Sequence, residues 1–193
     1  MKKLVLFDYD GTLSAGDANN DFYRYTLRRE PLRQSFHIPL LLIVKVGQLL
    51  NCKGIWWRHL LRIHITKEIV KKYAPGFIKE QKLKQFGWAK EQIAAEKKKG
   101  AICILLSASP DYLIKGLTKD LGLDKIICSR MDTARPWKIK ELCYGQNKVN
   151  MLEAVIQPPY EVVRAYSDSR SDMPMMNIAE EQVWINPRTG IRR

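Results

Sequence analysis

The chain has 193 residues, of which 46% are hydrophobic and 27% charged. That is room for one α/β domain with an insertion or for two small domains, and it excludes a disordered or fibrous chain. Four cysteines (Cys52, Cys103, Cys128, Cys143) lack Cys-x-x-Cys spacing, which excludes a disulfide framework and a zinc knuckle and fits reduced thiols in the cytoplasm. The net charge is +13, and all of the excess lies between Phe22 and Gly100, where eighteen Lys or Arg stand against five Glu. A block with its own charge character reads as an inserted module.

Lys2 and Lys3 precede an apolar stretch, but Asp8 and Asp10 cut it too short for the core of a signal peptide. Leu4-Val5-Leu6-Phe7 is a short apolar run closed by Asp8-Tyr9-Asp10-Gly11-Thr12, the pattern of a buried strand ending in a turn. Ligands of open α/β sheets sit beyond the carboxyl ends of strands. Side chains alternate along a strand, so Asp8 and Asp10 share one side and Tyr9 takes the other. Two carboxylates this close repel, and a bound cation is the usual remedy. All-oxygen donors suit Mg²⁺. Gly11 allows close backbone approach, and Thr12 offers a hydroxyl.

Asp17 to Arg29 reads as a helix with a cap residue at its start and cations at its end. Residues 36–50 are strongly apolar but fall short of the ~20 residues of a spanning helix. Two readings stay open there: a buried helix, or a surface that meets a lipid tail or the membrane interface, with Trp56, Trp57, Lys53, Arg58 and Arg62 beside it. Thr66 to Lys72 predicts a short helix with Thr66 as N-cap, and Pro75-Gly76 predicts a break. Phe77 to Lys99 predicts one long amphipathic helix. Its Lys97-Lys98-Lys99 end reads as a solvated terminus, so nucleic acid is the disfavoured partner.

Ala101 to Leu106 is fully apolar, as in the interior of a parallel sheet. Ser107-Ala108-Ser109-Pro110-Asp111 follows, putting Ser107 at the strand end and opening a helix that runs to about Leu121. A hydroxyl beside free amides at a helix start is a phosphate seat. Asp124 to Ser129 is a weaker strand, and Arg130 to Cys143 a β-excursion with a turn near 134–136. Gln146 to Ile156 is helical, with Lys148 unusually placed in the first turn, where an anion would justify it. Glu161 to Tyr166 is a strand ending in Ser167-Asp168-Ser169-Arg170-Ser171-Asp172. Gln182 to Ile185 is a last strand, and residues 190–193 read as a frayed tail.

Four strand ends thus carry, in order, Asp-x-Asp, Ser, Lys on the next helix, and Asp-x-x-x-Asp. With Asp8-Tyr9-Asp10-Gly11-Thr12, Ser107-Ala108-Ser109-Pro110 and Tyr144-Gly145-Gln146-Asn147-Lys148, the chain resembles the haloacid dehalogenase-like hydrolases over its whole length. It is most similar to their phosphoserine-phosphatase-like branch, which has a helical cap after the first strand. The resemblance implies a Rossmann-like three-layer α/β/α core with a parallel sheet, residues 1–16 and 100–193, and a cap over 17–99. It implies Asp8 as nucleophile and Asp10 as proton donor and then base. Mg²⁺ would be held by Asp8, the Asp10 backbone carbonyl and Asp168, with Asp172 in support. Ser107 and Lys148 would hold the phosphoryl oxygens, with Gly11, Thr12 and Ala108 beside them. Ser167 departs from the family's usual Gly.

A phosphoserine-specific cap needs polar groups for an amino acid, whereas this insertion is apolar and basic. That favours a lipid phosphate such as phosphatidylglycerophosphate, with peripheral membrane contact through residues 36–62. Phosphoserine or another small metabolite is the alternative. A basic membrane- or nucleic-acid-binding module on an inactive scaffold is the reading of another class, and the filled catalytic positions argue against it.

Overall fold

The computed structural model describes residues 1–30 and 65–192. The apolar segment 36–50 and the basic, aromatic residues 53–62 fall outside them, and with them the predicted membrane-contact surface.

Among the described residues, six strands form one sheet in the order β4-β3-β2-β1-β5-β6. They are β1 (Lys2–Phe7), β2 (Ile102–Pro110), β3 (Lys125–Met131), β4 (Ile139–Glu141), β5 (Tyr160–Ser167) and β6 (Ala179–Trp184). Every neighbouring pair is parallel except β3 with β4. Alternation along the strands decides the two faces. Val5, Phe7, Cys103 and Leu105 face one apolar cluster, while Leu4, Leu6, Ile104 and Leu106 face the other. Both faces are covered, which is why these strands are apolar throughout rather than alternating.

The first face is covered by α1 (Ala18–Arg29), α2 (Lys67–Lys82), α3 (Trp88–Lys98) and α4 (Asp111–Leu117). The second is covered by α5 (Gln146–Val155) and α6 (Met173–Asn177). The result is the expected three-layer α/β/α core. Helix α1 begins as predicted: the Asp17 side chain accepts from the Asn20 amide at 2.9 Å, and Arg28 and Arg29 stand in the last turn. Rings join α1 to α2, with Phe22 and Phe77 centroids 5.1 Å apart and Tyr25 and Phe77 5.4 Å apart.

The structure corrects three expectations. Helix α2 starts at the Thr66 cap but runs through Pro75 and Gly76. Proline forfeits one helical hydrogen bond there. Burial of Ile69, Ala74, Phe77 and Gln81 along one face outweighs that loss, and Gly76 leaves the space that the Tyr25 hydroxyl approaches. The chain instead breaks at residues 83–87, so the predicted long helix is two. At this break the Ala15 amide donates to the Lys84 carbonyl at 3.0 Å and the Phe86 amide to the Leu13 carbonyl at 3.0 Å. Pairing with the loop after β1 supplies partners that a continuous helix would have had to provide.

The end of the chain is also not frayed up to Arg192. Ile185 bridges to Arg192, and the Asn186 amide donates to the Ile191 carbonyl at 2.8 Å. The Arg192 guanidinium lies 5.7 Å from the Tyr166 ring centroid. Smaller shifts are that β2 extends to Pro110, α4 stops at Leu117 and β6 starts at Ala179.

Gly190 has φ +70°, and a Cβ there would sit 2.5 Å from Phe86 Cδ1. Gly190→Ala should therefore combine left-handed strain with a clash and cost about 1–3 kcal/mol. Thermal unfolding checks this; an unchanged Tm would contradict the packing of the terminal segment on Phe86.

Candidate active site

The site lies at the carboxyl ends of β1, β2 and β5. Asp8 follows β1 and is nearly buried, its amide donating to the Tyr166 carbonyl at 3.0 Å. Asp8 and Asp10 both line a cavity of about 570 Å³, while Tyr9 points into the apolar core, as alternation requires.

Lys148, in the first turn of α5, is buried and places its ammonium 2.7 Å from Asp8 Oδ1 and 2.8 Å from Asp172 Oδ1. Burial works against the lysine's charge, but the two carboxylates outweigh it and hold its pKa above the ordinary value. Burial pushes the Asp8 pKa up to about 6, against the opposing pull of Lys148. Asp10 is pushed up to about 7, by burial first and then by the Asp8 charge. Its two oxygens accept from the Ala18 amide at 2.6 Å and the Ser109 hydroxyl at 2.5 Å. Burial also raises Asp168.

Thr12 is buried between two carboxylates. Its hydroxyl lies 3.2 Å from Asp8 Oδ2 and 3.3 Å from Asp168 Oδ1, and it accepts from the Asp168 amide at 3.1 Å. It is thus a tether between Asp8 and Asp168 rather than a group turned to the cavity. The Gly11 amide is likewise committed, donating to the Ser14 carbonyl at 2.8 Å. What Gly11 provides is space: at φ +78°, a Cβ would lie 2.3 Å from Asp168 Oδ2. Ala108 lines the cavity. Ser107 is buried at the end of the apolar part of β2, and its hydroxyl oxygen accepts from the Ser109 amide at 3.1 Å.

Ser167, the departure from the family's usual Gly, carries a specific load. Its buried hydroxyl donates to Asp172 Oδ2 at 2.7 Å, leaving Oδ1 for Lys148. Sequence reasoning passed over this residue's part, and that of Ser109, which clamps Asp10. Ser-x-Ser after an apolar strand is the signal that could have found Ser109. Tyr144 and Arg188, at the cavity mouth, were also missed. Arg188 lies just past β6, so the strand-end rule that found Asp8 would have found it too.

Among the described residues no three His, Cys, Asp or Glu side chains group as a metal cage. Asp8 and Asp168 contribute two carboxylates within reach of one hydroxyl. Two carboxylates with a backbone carbonyl and water fit Mg²⁺, which seldom uses an all-protein cage.

A buried lysine between two strand-end carboxylates, a third carboxyl of raised pKa beside them and a mostly parallel sheet beneath define a hydrolase of the α/β type. The family model for haloacid dehalogenase-like hydrolases matches residues 5–177. The chain belongs to that family. It is 26% identical over 197 aligned residues to protein CicA of Caulobacter vibrioides, covering 93% of this chain and 84% of CicA. It is 29% identical over 114 residues to a "probable phosphatase" of Mycobacterium tuberculosis, spanning 56% of this chain and 40% of that protein. Among solved structures, a Bordetella pertussis protein of unknown function has TM-score 0.74 at 17% identity, with 97% of this chain and 91% of that one covered. A phosphoserine phosphatase solved as a phospho-aspartyl intermediate analogue has TM-score 0.59 at 21% identity, with 95% and 86% covered. At these identities the structural likeness speaks for the fold.

The raised Asp10 pKa makes a prediction for the metal-free protein. A folded value near 7 against an ordinary value near 3.8 means that the unfolded chain gives up this proton first. Stability from this group is therefore greatest below about pH 4 and is lost as pH rises toward 7. Asp10→Asn should raise the Tm of metal-free protein at pH 8 by several degrees and by clearly less at pH 5, where only part of the loss has set in. Calorimetry at the two pH values checks this; destabilisation at both would contradict it.

Proposed function

We propose that this protein hydrolyses a phosphomonoester in two steps, through an aspartyl-phosphate on Asp8. The observation that carries the reading is the Lys148 ammonium held 2.7 Å from Asp8 at the floor of the cavity. It cancels the repulsion an anionic nucleophile would meet from an anionic phosphate.

In the first step an Asp8 oxygen attacks phosphorus, and the bond from phosphorus to the ester oxygen breaks. Asp10, protonated near neutral pH by its raised pKa, gives its proton to the departing oxygen. In the second step Asp10, now a carboxylate, takes a proton from water as that oxygen attacks the phosphorus. The bond from Asp8 to phosphorus breaks, releasing phosphate and restoring Asp8 as a carboxylate and Asp10 as the protonated acid. The Ser109 hydroxyl and the Ala18 amide hold Asp10 in place through both transfers. Lys148 would supply positive charge to the phosphoryl oxygens; Ser107, buried behind the cavity-lining Ala108 and Ser109, would have to turn its hydroxyl outward to donate to them. Thr12 keeps Asp8 and Asp168 in register.

Mg²⁺ fits Asp8, Asp168 and the Asp10 backbone carbonyl, where it would neutralise the developing charge. On this reading Asp172 supports the site through Lys148 and not as a ligand. We place the cap boundary at residues 83–87 rather than 99, because α3 packs directly against strand β2 whereas α2 packs on the helices α1 and α4. The free, buried Cys103, Cys128 and Cys143 fit the cytoplasm, and among the described residues no helix is long and apolar enough to cross a membrane.

For the substrate, a lipid phosphate such as phosphatidylglycerophosphate remains the favoured class, supported by the basic charge of the insertion. The side chain of Asp17, the acid at the cap entry, is engaged with the Asn20 amide and side chain, at 2.9 and 2.7 Å. That leaves it poorly placed to receive the ammonium of phosphoserine.

Asp8→Asn should abolish turnover, and Lys148→Ala should reduce kcat at least a hundredfold, both with Mg²⁺ present. Residual activity in Asp8→Asn above a few per cent would overturn the mechanism. A panel of phosphoserine, small sugar phosphates and phosphatidylglycerophosphate in vesicles tests the substrate. Turnover on phosphoserine with none on the lipid would sink the lipid reading and leave the chemistry standing.

A further inference from the structure

The cavity is unevenly charged. Asp8, Asp10, Asp17, Asp168 and Asp172 line it, and its described cations are Lys148 and Arg188. Lys148 is buried and engaged by Asp8 and Asp172, so its charge serves the reacting phosphate. Arg188 is exposed at the mouth, and among the described residues no acid pairs with its guanidinium. An unpaired guanidinium beside this many carboxylates, yet forming no ion pair with any of them, is a group held for something else.

The backbone beneath it is fixed. The Arg188 amide donates to Asn186 Oδ1 at 3.0 Å, and the Gly190 amide to the Asn186 carbonyl at 2.8 Å. Gly190 is buried against Phe86, and Arg192 reaches the Tyr166 ring and the Gln92 side chain. The loop is therefore pinned at both ends, on β6 and on α3. A planar fork on a fixed backbone is suited to the two oxygens of a carboxylate or of a phosphodiester.

We propose that Arg188 recognises a second anionic group on the substrate, set apart from the phosphate that is cleaved. The proposal rests on the phosphatase reading above and narrows it: the substrate is a phosphomonoester that also carries a carboxylate or a phosphodiester. Arg188 is a specificity residue and takes no part in bond breaking.

The alternative is a general role, in which Arg188 draws in any anion by its field alone. That role would affect all substrates alike and fade with salt. The experiment measures kcat and KM of the full chain with Mg²⁺ for wild type, Arg188→Gln and Arg188→Lys. Three substrates are used: p-nitrophenyl phosphate, with no second anion; phosphoserine, with a carboxylate; and phosphatidylglycerophosphate in mixed micelles, with a phosphodiester. For at least one of the last two, Arg188→Gln should lower kcat/KM at least tenfold more than it does for p-nitrophenyl phosphate. The loss should fall mainly in KM, and Arg188→Lys should restore part of it. Which substrate shows the effect tells carboxylate from phosphodiester. Equal losses on all three, no loss on either second-anion substrate, or wild-type turnover of p-nitrophenyl phosphate alone would overturn the proposal. Wild-type protein inert on every phosphate ester would instead bring down the phosphatase reading beneath it.

Discussion

The structure depends on a buried charge cluster: one lysine between two carboxylates, with a third and a fourth carboxyl group close by. Lys148 contacts Asp8 and Asp172 at 2.7 and 2.8 Å with almost no exposure. Removing such charges from water costs more than their attraction commonly returns, so the cluster is poor evidence for stability. It persists because each member is bound from another side. Thr12 holds Asp8 to Asp168, Ser167 holds Asp172, and Ser109 with the Ala18 amide holds Asp10. The strained protonation of Asp8 and Asp10 is the same fact seen electrostatically. A site that keeps acids partly uncharged near neutral pH is built for proton transfer.

Strand ends explain why these residues could be read from the chain. A parallel sheet gathers the carboxyl ends of its strands on one edge, so Asp8, Ser107 and Asp168 meet although they lie far apart in sequence. Apolar runs ending in polar turns marked each strand, and the alternation of Asp8, Tyr9 and Asp10 fixed which side chains face the cavity. What the sequence did not disclose was how hydroxyls and amides are shared. Thr12 and Gly11 were legible as site residues, but their use as tether and clearance for Asp168 depends on a contact across 156 residues. The work of Ser167 on Asp172 was hidden for a different reason: a serine in a Ser/Asp-rich turn looks like ordinary capping.

The helical boundaries were misjudged because local signals met tertiary ones. Pro75-Gly76 is a strong local break, yet one continuous buried face carries α2 across it. The true break at 83–87 carries no comparable signal beyond Gly87. It exists because Leu13 and Ala15 pair with Phe86 and Lys84. That pairing ties the end of the insertion to the loop that bears Asp10, and Phe86 in turn packs on Gly190 below Arg188. The entry to the cavity and the terminal loop are thus braced against one segment. Whatever enters the cavity is met by groups whose positions are set by the sheet and its packed helices.

The central claim is that Asp8 becomes covalently phosphorylated. Rapid acid quench during steady-state turnover, followed by peptide mass spectrometry, measures it directly. The account predicts one added phosphoryl group on the peptide containing Asp8, absent from Asp8→Asn and, with p-nitrophenyl phosphate, whose leaving group needs no proton, accumulating in Asp10→Asn because water is no longer activated. Turnover with no phosphorylated peptide, or with the group on any other residue, would contradict it.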